Sequence, residues 1–546
     1  MSPIDNNSKP FRNSLALGGL FLLIAMYFFR KKRLKQTNTK ILDPPWTKIP
    51  GALPIFGNPI PGGLGNLADT LESWATAYGT ERGVYECKIF GQRIVVLCNE
   101  EKIALVESHR PFNVTKREKL SKVLNGICAD GLFSAEGDVW KNERKLFGPA
   151  LNRKNVRDYV DIVKLVASRL VDKWGETTAN EGVVTINSDL LSYTMDTISL
   201  VAFAKDIDSL RKGEYGIGED IKYLLKKAMS RIFAPFPFWN IPIVGQYLDG
   251  CGWTANRVKR TFRKIIDEHE SALPNPQSKP SENIEGAVQN RSKSFLGKIL
   301  TQSKKDNSTL NEDRLIGNLL TMFVAGSETT FNTICSCLHQ IAIDDTGLQD
   351  ELAAEISALP RLEKEAGLEE LNEGLPRMRS LVYEVLRIKG PSPFMGLENT
   401  KAFEMDGISQ PPKTSFFLLF RHASTLESSE DNKRAPRGQR DAPVNKFCAR
   451  RWLVSGAEGE ENGTRGMSKY SVLKPSFKTG FRPFGSGMRV CPGRDLAEVE
   501  ILVVLAFVLR KFEIGLQEGH PPIKFVTRIA QTPDTNIRLV LKQRNK

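Results

Sequence analysis

The chain has 546 residues, of which 40% are hydrophobic and 26% are charged, and its formal net charge is +14. This composition is that of a globular protein and argues against wholesale disorder, while the length allows one large domain or several ordinary ones. The positive charge favours anionic partners, but the sequence shows no zinc finger, RNA-binding signature or long Lys/Arg run, so we expect no nucleic-acid partner.

The first predicted element is an uncharged apolar run, LALGGLFLLIAMYFF, at 15–29. As a helix it would cover about 22 Å, and flanking Arg12 and Arg30 can reach the interface of a bilayer core of about 30 Å. The basic cluster RKKRLK follows the run, which is the reverse of a cleaved signal peptide. Residues 1–40 are therefore predicted to be a single-pass membrane anchor with its stop-transfer segment, and the rest of the chain is expected in the cytosol.

The next segments predict the body of the protein. Residues 41–63 are proline-rich, which disfavours helix and predicts a stiff hinge. Residues 85–97 have the composition of a β-hairpin around a Gly-Gln turn. Helical patterns dominate from about residue 138, and strand-like pieces return near 401–420 and 523–541. We expect one mainly α-helical catalytic domain at 64–546 with a small β-rich subdomain.

Trp140 and Arg144 stand four residues apart in GDVWKNERK. On a helix this spacing places them on one face. Taken alone, the pattern is common and is typical of amphipathic packing.

A second helical pattern contains TMFVAGSETTFNT at 321–333. The small residues Ala325 and Gly326 would let this helix pass close to a flat group. Glu328 and Thr329 place an acid and an alcohol at the same level. The hydroxyl of Thr329 can bond to the carbonyl of Ala325, four residues earlier, and so open the helix locally. Taken alone, an acid followed by two threonines is most often an exposed polar face.

Glu384 and Arg387 are three residues apart in LVYEVLR, on one helix face. As an exposed ion pair they would contribute little stability. Downstream, the stretch FCARRW at 447–452 carries Arg451 between aromatic residues.

The stretch FGSGMRVCPG at 484–493 holds one of eight cysteines, Cys491, before a long apolar helix pattern. No other Cys or His lies within twenty residues, so a local zinc site is excluded, although a distant histidine leaves a nucleophilic cysteine open. Gly485 and Gly493 allow close approach of a flat group, and the following helix N-terminus favours a thiolate. Arg489 can pair with an anion beside the sulfur. A haem, with its planar ring, iron and two propionates, satisfies all of these features.

The same stretch closely resembles the F-x-x-G-x-R-x-C-x-G haem loop of the cytochrome P-450 monooxygenases of the microsomal eukaryotic type. The resemblance extends to A-G-x-E-T-T at 325–330, E-x-x-R at 384–387 and W-x-x-x-R at 140–144, in the family's order and over essentially the whole chain. It implies the cytochrome P-450 fold and haem b as cofactor.

The resemblance also implies roles for individual residues. Cys491 would be the axial ligand of the haem iron, and Glu328 and Thr329 would be catalytic, delivering protons during oxygen activation. The residues implied to contact the haem besides Cys491 are Arg489, Phe484, Gly485, Gly493, Trp140, Arg144 and Ala325. Glu384, Arg387 and Arg451 would form a buried structural cluster.

Two departures from the family pattern stand out. Ala449 replaces a proline before Arg451, which predicts only a looser local turn. After Arg387 the family often carries an arginine for a haem propionate, but here the segment reads IKGPSPFMGLEN, with Met395 near the expected place and no arginine before Arg421. The full set of propionate contacts is therefore open.

The chain has no dinucleotide-binding G-x-G-x-x-G after a strand. The resemblance thus implies electrons from NADPH through a separate membrane-bound NADPH–cytochrome P-450 reductase, with cytochrome b5 as a second candidate donor, at the endoplasmic reticulum membrane. The expected activity is insertion of one oxygen atom of O2 into a lipophilic substrate.

A phenylalanine-rich stretch at 231–245 would line a substrate channel or dip into the membrane. A haem-thiolate peroxygenase or hydroperoxide isomerase and a non-enzymatic membrane haem binder are the alternatives.

Overall fold

In a computed structural model of the protein, the described residues run from 46 to 544, with gaps at 55, 80–81, 128–129, 181, 214–216, 235–236, 243, 273–290, 307–309, 427–442, 456–469, 473–480 and 529. The predicted anchor at 15–29 lies outside the described residues. Across the residues that are described, no helix is both long enough and apolar enough to cross a membrane.

Helices make up most of the described chain, in agreement with the predicted fold class. The α-helices are, in chain order, α1 (Leu67–Tyr78), α2 (Glu100–Ser108), α3 (Glu118–Asn125), α4 (Gly137–Phe147), α5 (Arg153–Val156), α6 (Val160–Asn180), α7 (Ile186–Phe203), α8 (Ser209–Lys212), α9 (Ile217–Phe233), α10 (Cys251–Ala272), α11 (Phe295–Lys305), α12 (Glu312–Ala342), α13 (Leu348–Ser357), α14 (Leu368–Gly374), α15 (Pro376–Lys389), α16 (Phe420–Ser424) and α17 (Arg494–Lys511). Short 3-10 helices occupy Leu64–Asn66, Gly148–Leu151, Arg157–Tyr159, Phe238–Asn240, Arg291–Lys293 and Gly487–Arg489.

The strands are short. They are β1 (Thr47–Lys48), β2 (Val84–Ile89), β3 (Gln92–Leu97), β4 (Val114–Lys116), β5 (Val183–Thr185), β6 (Met395–Asn399), β7 (Phe403–Met405), β8 (Ile408–Gln410), β9 (Ser415–Leu418), β10 (Leu453–Ser455), β11 (Tyr470–Val472), β12 (Phe512–Leu516), β13 (Phe525–Thr527), β14 (Gln531–Pro533) and β15 (Arg538–Gln543). The main sheet has the order β1-β2-β3-β9-β6-β4, a second has β12-β15-β5, and three two-stranded ribbons pair β7 with β8, β10 with β11 and β13 with β14.

The main sheet is buried on both faces. Val95 and Leu97 of β3 belong to one apolar cluster, while Ile94 and Val96 belong to another on the opposite face. Successive strand residues point to opposite faces, so a strand buried on both sides must be apolar at consecutive positions. This explains the unbroken run IVVL, and it confirms the predicted hairpin, whose strands β2 and β3 pair antiparallel.

The described part of the proline-rich segment, 46–63, lies against this sheet. Thr47 and Lys48 pair in parallel with Tyr85 and Glu86 of β2. Asn58 donates side-chain hydrogen bonds to the carbonyls of two residues in the same segment, at 3.1 and 2.9 Å. The segment is therefore fixed to the catalytic body from residue 46 onward.

The long helix α12 runs through the helical core. It begins after Asn311, whose side chain caps the helix by accepting a hydrogen bond from the backbone N–H of Arg314, and it stays continuous for 31 residues. Most of its side chains are buried on all sides, which is the pattern of a helix enclosed by neighbours. Gly326 lies against α7, because a Cβ there would be 2.7 Å from Cδ1 of Ile198. The prediction that Gly326 permits approach to a flat group is wrong; it permits close helix packing.

The strands predicted near 401–420 and 523–541 are confirmed as β7–β9 and β13–β15. The strands β1, β4, β5, β6, β10, β11 and β12 were not predicted. Five of these seven have three residues or fewer, so no local alternation marks them. The apolar end of α17 runs directly into β12, which hides that strand in the helical pattern.

Candidate active site

The loop before α17 holds Cys491 through its backbone. The amide of Cys491 donates to the carbonyl of Phe484 at 2.8 Å, and the amide of Gly485 donates to Arg482 at 3.0 Å. Gly485 and Gly487 have φ values of +74° and +59°, in the left-handed region that favours glycine. The glycines are thus required by the turn that presents the thiol.

The side chain of Cys491 is exposed to solvent, yet protein atoms surround the sulfur. Burial raises the pKa of the thiol, and the backbone N–H of Gly493 and the guanidinium groups of Arg144 and Arg494 oppose this rise. Gly493 is also the residue before the first turn of α17, so the sulfur faces a helix N-terminus. By itself the site favours the neutral thiol, and a metal cation bound at the sulfur would, together with these three donors, favour the thiolate.

The other described cysteines differ from Cys491 in accessibility. Five of them, Cys87, Cys98, Cys251, Cys335 and Cys337, are buried, and burial raises the pKa of each thiol. Cys448 is half-buried. Cys491 is therefore the thiol that a ligand can reach within the described part of the chain.

Arg489 reaches across to α4. Its guanidinium lies over the ring of Trp140, with Cζ 4.7 Å from the centroid, and Nη2 is 2.7 Å from the carboxylate of Glu136 and 2.8 Å from the carbonyl of Ala135. Burial first, and then Arg110 and Arg144, lower the pKa of Arg489 to about 10, while Glu136 opposes this effect. Its Nη1 is buried and has no hydrogen-bond partner among the described residues.

Arg489 belongs to a cluster of cations around two carboxylates. Lys116 and Arg110 interact electrostatically with Arg489 and Glu136, and Glu107 contacts Arg482. With Arg144, the cluster holds five cations against Glu107 and Glu136, a formal excess of three. Burial and like charge lower the pKa of Lys116 well below its usual range. The cluster is thus built to receive further negative charge.

Residues in the middle of α12 are accessible to solvent, although the helix runs through the core. Ala325 is exposed and Glu328 and Thr329 are half-buried, although Phe323, Ser327 and Thr330 beside them are buried. Exposure in the centre of an otherwise enclosed helix marks the wall of a cavity. The hydroxyl of Thr329 donates to the carbonyl of Ala325 at 2.6 Å, as predicted. The predicted local opening of the helix is not present, because α12 continues without a break.

Glu328 is the acidic group of this wall. Burial raises the pKa of its carboxyl, and Arg528, after β13, and Lys222, on α9, oppose the rise. In turn, burial lowers the pKa of Lys222 and Glu328 opposes that change. A carboxyl with a raised pKa can hold a proton closer to neutral pH than a free glutamate can.

Glu384 forms the centre of a buried cluster. Arg387 donates to both of its carboxylate oxygens, at 2.8 and 2.9 Å, and Nε of Arg451 donates at 3.1 Å. The indole N–H of Trp452 and the backbone N–H of Cys448 complete the acceptor sites. All three charged side chains are at most 3% exposed. The cluster ties α15 to the segment before β10.

The cytochrome P-450 family model matches residues 48–423 and 451–540, which span the loop of Cys491, the wall of α12 and the cluster at Glu384. The chain belongs to the cytochrome P-450 family. Membership makes it a haem-dependent oxidoreductase of the monooxygenase type.

Individual relatives of this cytochrome P-450 are distant. The mitochondrial sterol 26-hydroxylase of Mus musculus is 26% identical, with 76% of this chain and 72% of that protein covered. A bifunctional cytochrome P-450/NADPH–P-450 reductase of Aspergillus oryzae is 24% identical, with 89% of this chain and 41% of that protein covered. The crystal structure of another cytochrome P-450 shares the fold with a TM-score of 0.70 at 19% identity, covering 92% of this chain and 99% of that one.

The residues of this cytochrome P-450 fit a haem. The accessible sulfur of Cys491 would be its iron ligand, and the exposed Ala325 has no bulky side chain that would obstruct the open side of α12. Buried donors of Arg110, Arg482 and Arg489 have no hydrogen-bond partner among the described residues, and they belong to the cluster that has an excess of positive charge. Two propionates would supply the missing acceptors.

The sequence predicts Arg489, Trp140, Arg144 and Cys491 in this cytochrome P-450, and the structure brings them into one region. The sequence did not predict the other charged residues, which are Arg110, Lys116, Glu107, Glu136 and Arg482 in the cluster of Arg489, and Lys222 and Arg528 near Glu328. Signals exist for Glu136, which stands four residues before Trp140 at the start of α4, and for Arg482, which precedes Cys491 in the same loop. The others come from distant elements, so no spacing along the chain links them to the site.

Proposed function

We propose that this cytochrome P-450 inserts one oxygen atom of O2 into a lipophilic organic substrate, with electrons from NADPH delivered by a separate reductase. The observation that carries the proposal is the pair Glu328 and Thr329 on the open wall of α12, beside the exposed Ala325. When bound to Cys491, the haem supplies the iron at which O2 is activated.

Two residues of α12 would hold and transfer protons. Thr329 donates its hydroxyl hydrogen to Ala325, so its oxygen keeps lone pairs that can accept a hydrogen bond from a water molecule in the cavity. Glu328, with its raised pKa, can hold and release a proton one residue away. Arg528 is exposed and Lys222 is half-buried, so this acid lies between the cavity and groups that reach toward solvent. The arrangement favours controlled proton delivery during oxygen activation.

The electron donor is inferred from charge and from the lack of a flavin motif. The given sequence carries a net charge of +14 and no dinucleotide-binding glycine motif, and both features favour electrons from a second protein. A partner with an acidic face, such as the NADPH–cytochrome P-450 reductase, complements this charge, with cytochrome b5 as a second candidate. A cytochrome P-450 and its reductase are named together in the fungal relative.

The proposal is tested with the purified haem-loaded protein and a panel of fatty acids, sterols and terpenes. We expect an oxygenated product that requires NADPH, O2 and added reductase. Product formation from a hydroperoxide alone, without NADPH, would identify the peroxygenase or isomerase alternative. Haem binding without any product on the panel would favour the non-enzymatic binder.

Replacement of Thr329 tests the proton path. We expect Thr329→Ala to keep NADPH consumption but to lower the fraction of electrons that reach product by about tenfold or more, because the hydroxyl that orders the proton donor is lost. The measurement compares product, hydrogen peroxide and NADPH consumed with a substrate from the panel.

Ser327→Ala is the matched control for Thr329→Ala. Ser327 bonds back to the carbonyl of Phe323 at 2.7 Å, the same type of bond, but its side chain is buried away from the open wall. We expect Ser327→Ala to retain coupling. Intact coupling in Thr329→Ala would contradict the role of Thr329.

We further propose that residues 15–29 anchor the protein in the endoplasmic reticulum membrane, with the catalytic domain in the cytosol. Ile241, Val244 and Leu248, between α9 and α10, are 38%, 51% and 62% exposed and form an outward apolar surface that suits contact with lipid. In the same region Arg231 is fully buried and bonded to Asp249, so the phenylalanine-rich stretch has residues in the protein interior as well as on its surface.

Cell fractionation tests the anchor. The full chain is expected to stay with membranes after high-salt and carbonate washes, and a chain that begins at residue 41 is expected to be released by high salt. Protease added to intact microsomes should digest the catalytic domain. A full chain found in the supernatant would contradict the anchor, and a protease-protected domain would contradict the orientation.

A further inference from the structure

One anion-binding position in the family's pattern has no arginine in this sequence. The segment after α15 reads IKGPSPFMGLEN, with Met395 where an arginine is expected, and the next arginine is Arg421. Arg421 does not fill the position, because its guanidinium is bonded to Glu72 at 2.7 Å, Asp69 at 2.8 Å and Gln531 at 2.5 Å. A cation for this position must come from another part of the chain.

Arg110 occupies the space beside Met395. It follows α2 by two residues, and its Nη1 lies 3.7 Å from the sulfur of Met395. Its Nε is buried and has no hydrogen-bond partner within the part of the chain that the structure describes. Burial lowers the pKa of Arg110, and Glu107 and Glu136 only partly oppose this effect. A buried guanidinium with an unused donor and incomplete charge compensation can bind an anion. Arg117 shares both features, so the side of β6 on which each arginine lies distinguishes the two.

The strand β6 shows on which side of the sheet Arg110 lies. Met395 and Gly396 are consecutive, so their side-chain directions face opposite sides of the sheet. On the side of Gly396 lies another arginine, Arg117, whose Cδ would be 3.5 Å from a Cβ at that glycine and whose guanidinium lies 5.8 Å from the ring of Phe417. Arg110 is on the side of Met395, together with the charges of Arg489 and Lys116.

We propose that Arg110 replaces the arginine missing at position 395 and binds a haem propionate together with Arg489. A guanidinium offers two parallel N–H donors that match a carboxylate, which a methionine cannot do. The unused donors are Nε of Arg110 and Nη1 of Arg489. No covalent step is involved. The inference rests on haem binding in this family and not on turnover, so it can be tested even if the proposed oxygenation fails.

The test measures how firmly haem is held. Ferric holoprotein is mixed with excess apomyoglobin, and the rate of haem transfer is followed by absorbance for the wild type and for Arg110→Met, Arg117→Met and the swap variant Arg110→Met/Met395→Arg. We expect transfer about tenfold faster or more in Arg110→Met, because a hydrogen bond to a charged group is lost. The control Arg117→Met should stay within about twofold of the wild type, since Arg117 lies on the other side of the sheet.

The swap variant separates anion binding from a structural role. If Arg110 binds a propionate, an arginine restored at position 395 should return the transfer rate to within about threefold of the wild type and restore the thiolate band of the reduced, CO-bound protein. Fast haem loss without rescue in the swap variant would overturn the proposal, as would wild-type retention in Arg110→Met. If Arg110→Met yields only apoprotein, recovery of holoprotein by the swap supports the proposal and its failure overturns it.

Discussion

Cys491→Ala is expected to abolish the thiolate spectrum of the reduced, CO-bound protein and to lower monooxygenase turnover to the background of protein without haem. The sulfur of Cys491 is the accessible thiol of the described chain, and it receives the N–H of Gly493 at the start of α17. Alanine leaves the backbone bond from Cys491 to Phe484 intact, so the loop is expected to keep its path. The measurement is a difference spectrum combined with a haem assay.

Two further variants show whether the effect depends on the sulfur of Cys491 itself. Cys448→Ala removes a half-buried thiol outside the loop, and we expect it to keep the thiolate spectrum. Cys491→Ser keeps an acceptor for the N–H of Gly493 but lacks sulfur, so it should bind haem without the thiolate band. Retained turnover in Cys491→Ala would refute the assignment of the iron ligand.

Glu384→Ala is expected to destabilise the fold by about 3–5 kcal/mol, because it leaves the guanidinium groups of Arg387 and Arg451 buried without their carboxylate. This is a large fraction of a typical unfolding free energy of about 5–15 kcal/mol. The variant should accumulate poorly and hold little haem. Urea unfolding of the purified protein, followed by circular dichroism, gives the loss of stability.

An exposed ion pair on the same protein is the control for Glu384→Ala. Glu365 lies 3.6 Å from Arg361, and both side chains are more than half exposed. Water solvates the remaining charge there, so Glu365→Ala should change stability by less than about 0.5 kcal/mol. If Glu365→Ala and Glu384→Ala lowered the free energy of unfolding by the same amount, this would contradict a structural role for the buried cluster. Glu384→Gln should fall between the two, since it keeps the shape and loses the charge.

The elements that the sequence predicts are determined by residues close together in the chain, whereas missed elements depend on residues far apart in the chain. The hairpin at 84–97 is encoded by its own residues, and the spacing of Glu384 and Arg387 places both on one helix face. The strand β5 has only three residues and exists because it pairs with β15, more than 350 residues away in the chain. The role of Gly326 was wrong for the same reason: its neighbour Ile198 belongs to another helix.

The site shows the same division. The sequence determined the loop of Cys491 and the motif on α12, because turns that need glycine, helix periodicity and hydrogen bonds between residues four apart are local. Only the tertiary structure decided which charges share the site. Arg110 and Lys116 come from the region after α2, and Lys222 and Arg528 come from α9 and the end of β13. Electrostatic interactions act through space and not along the chain, so a single sequence does not reveal their partners until the helices and sheets are packed.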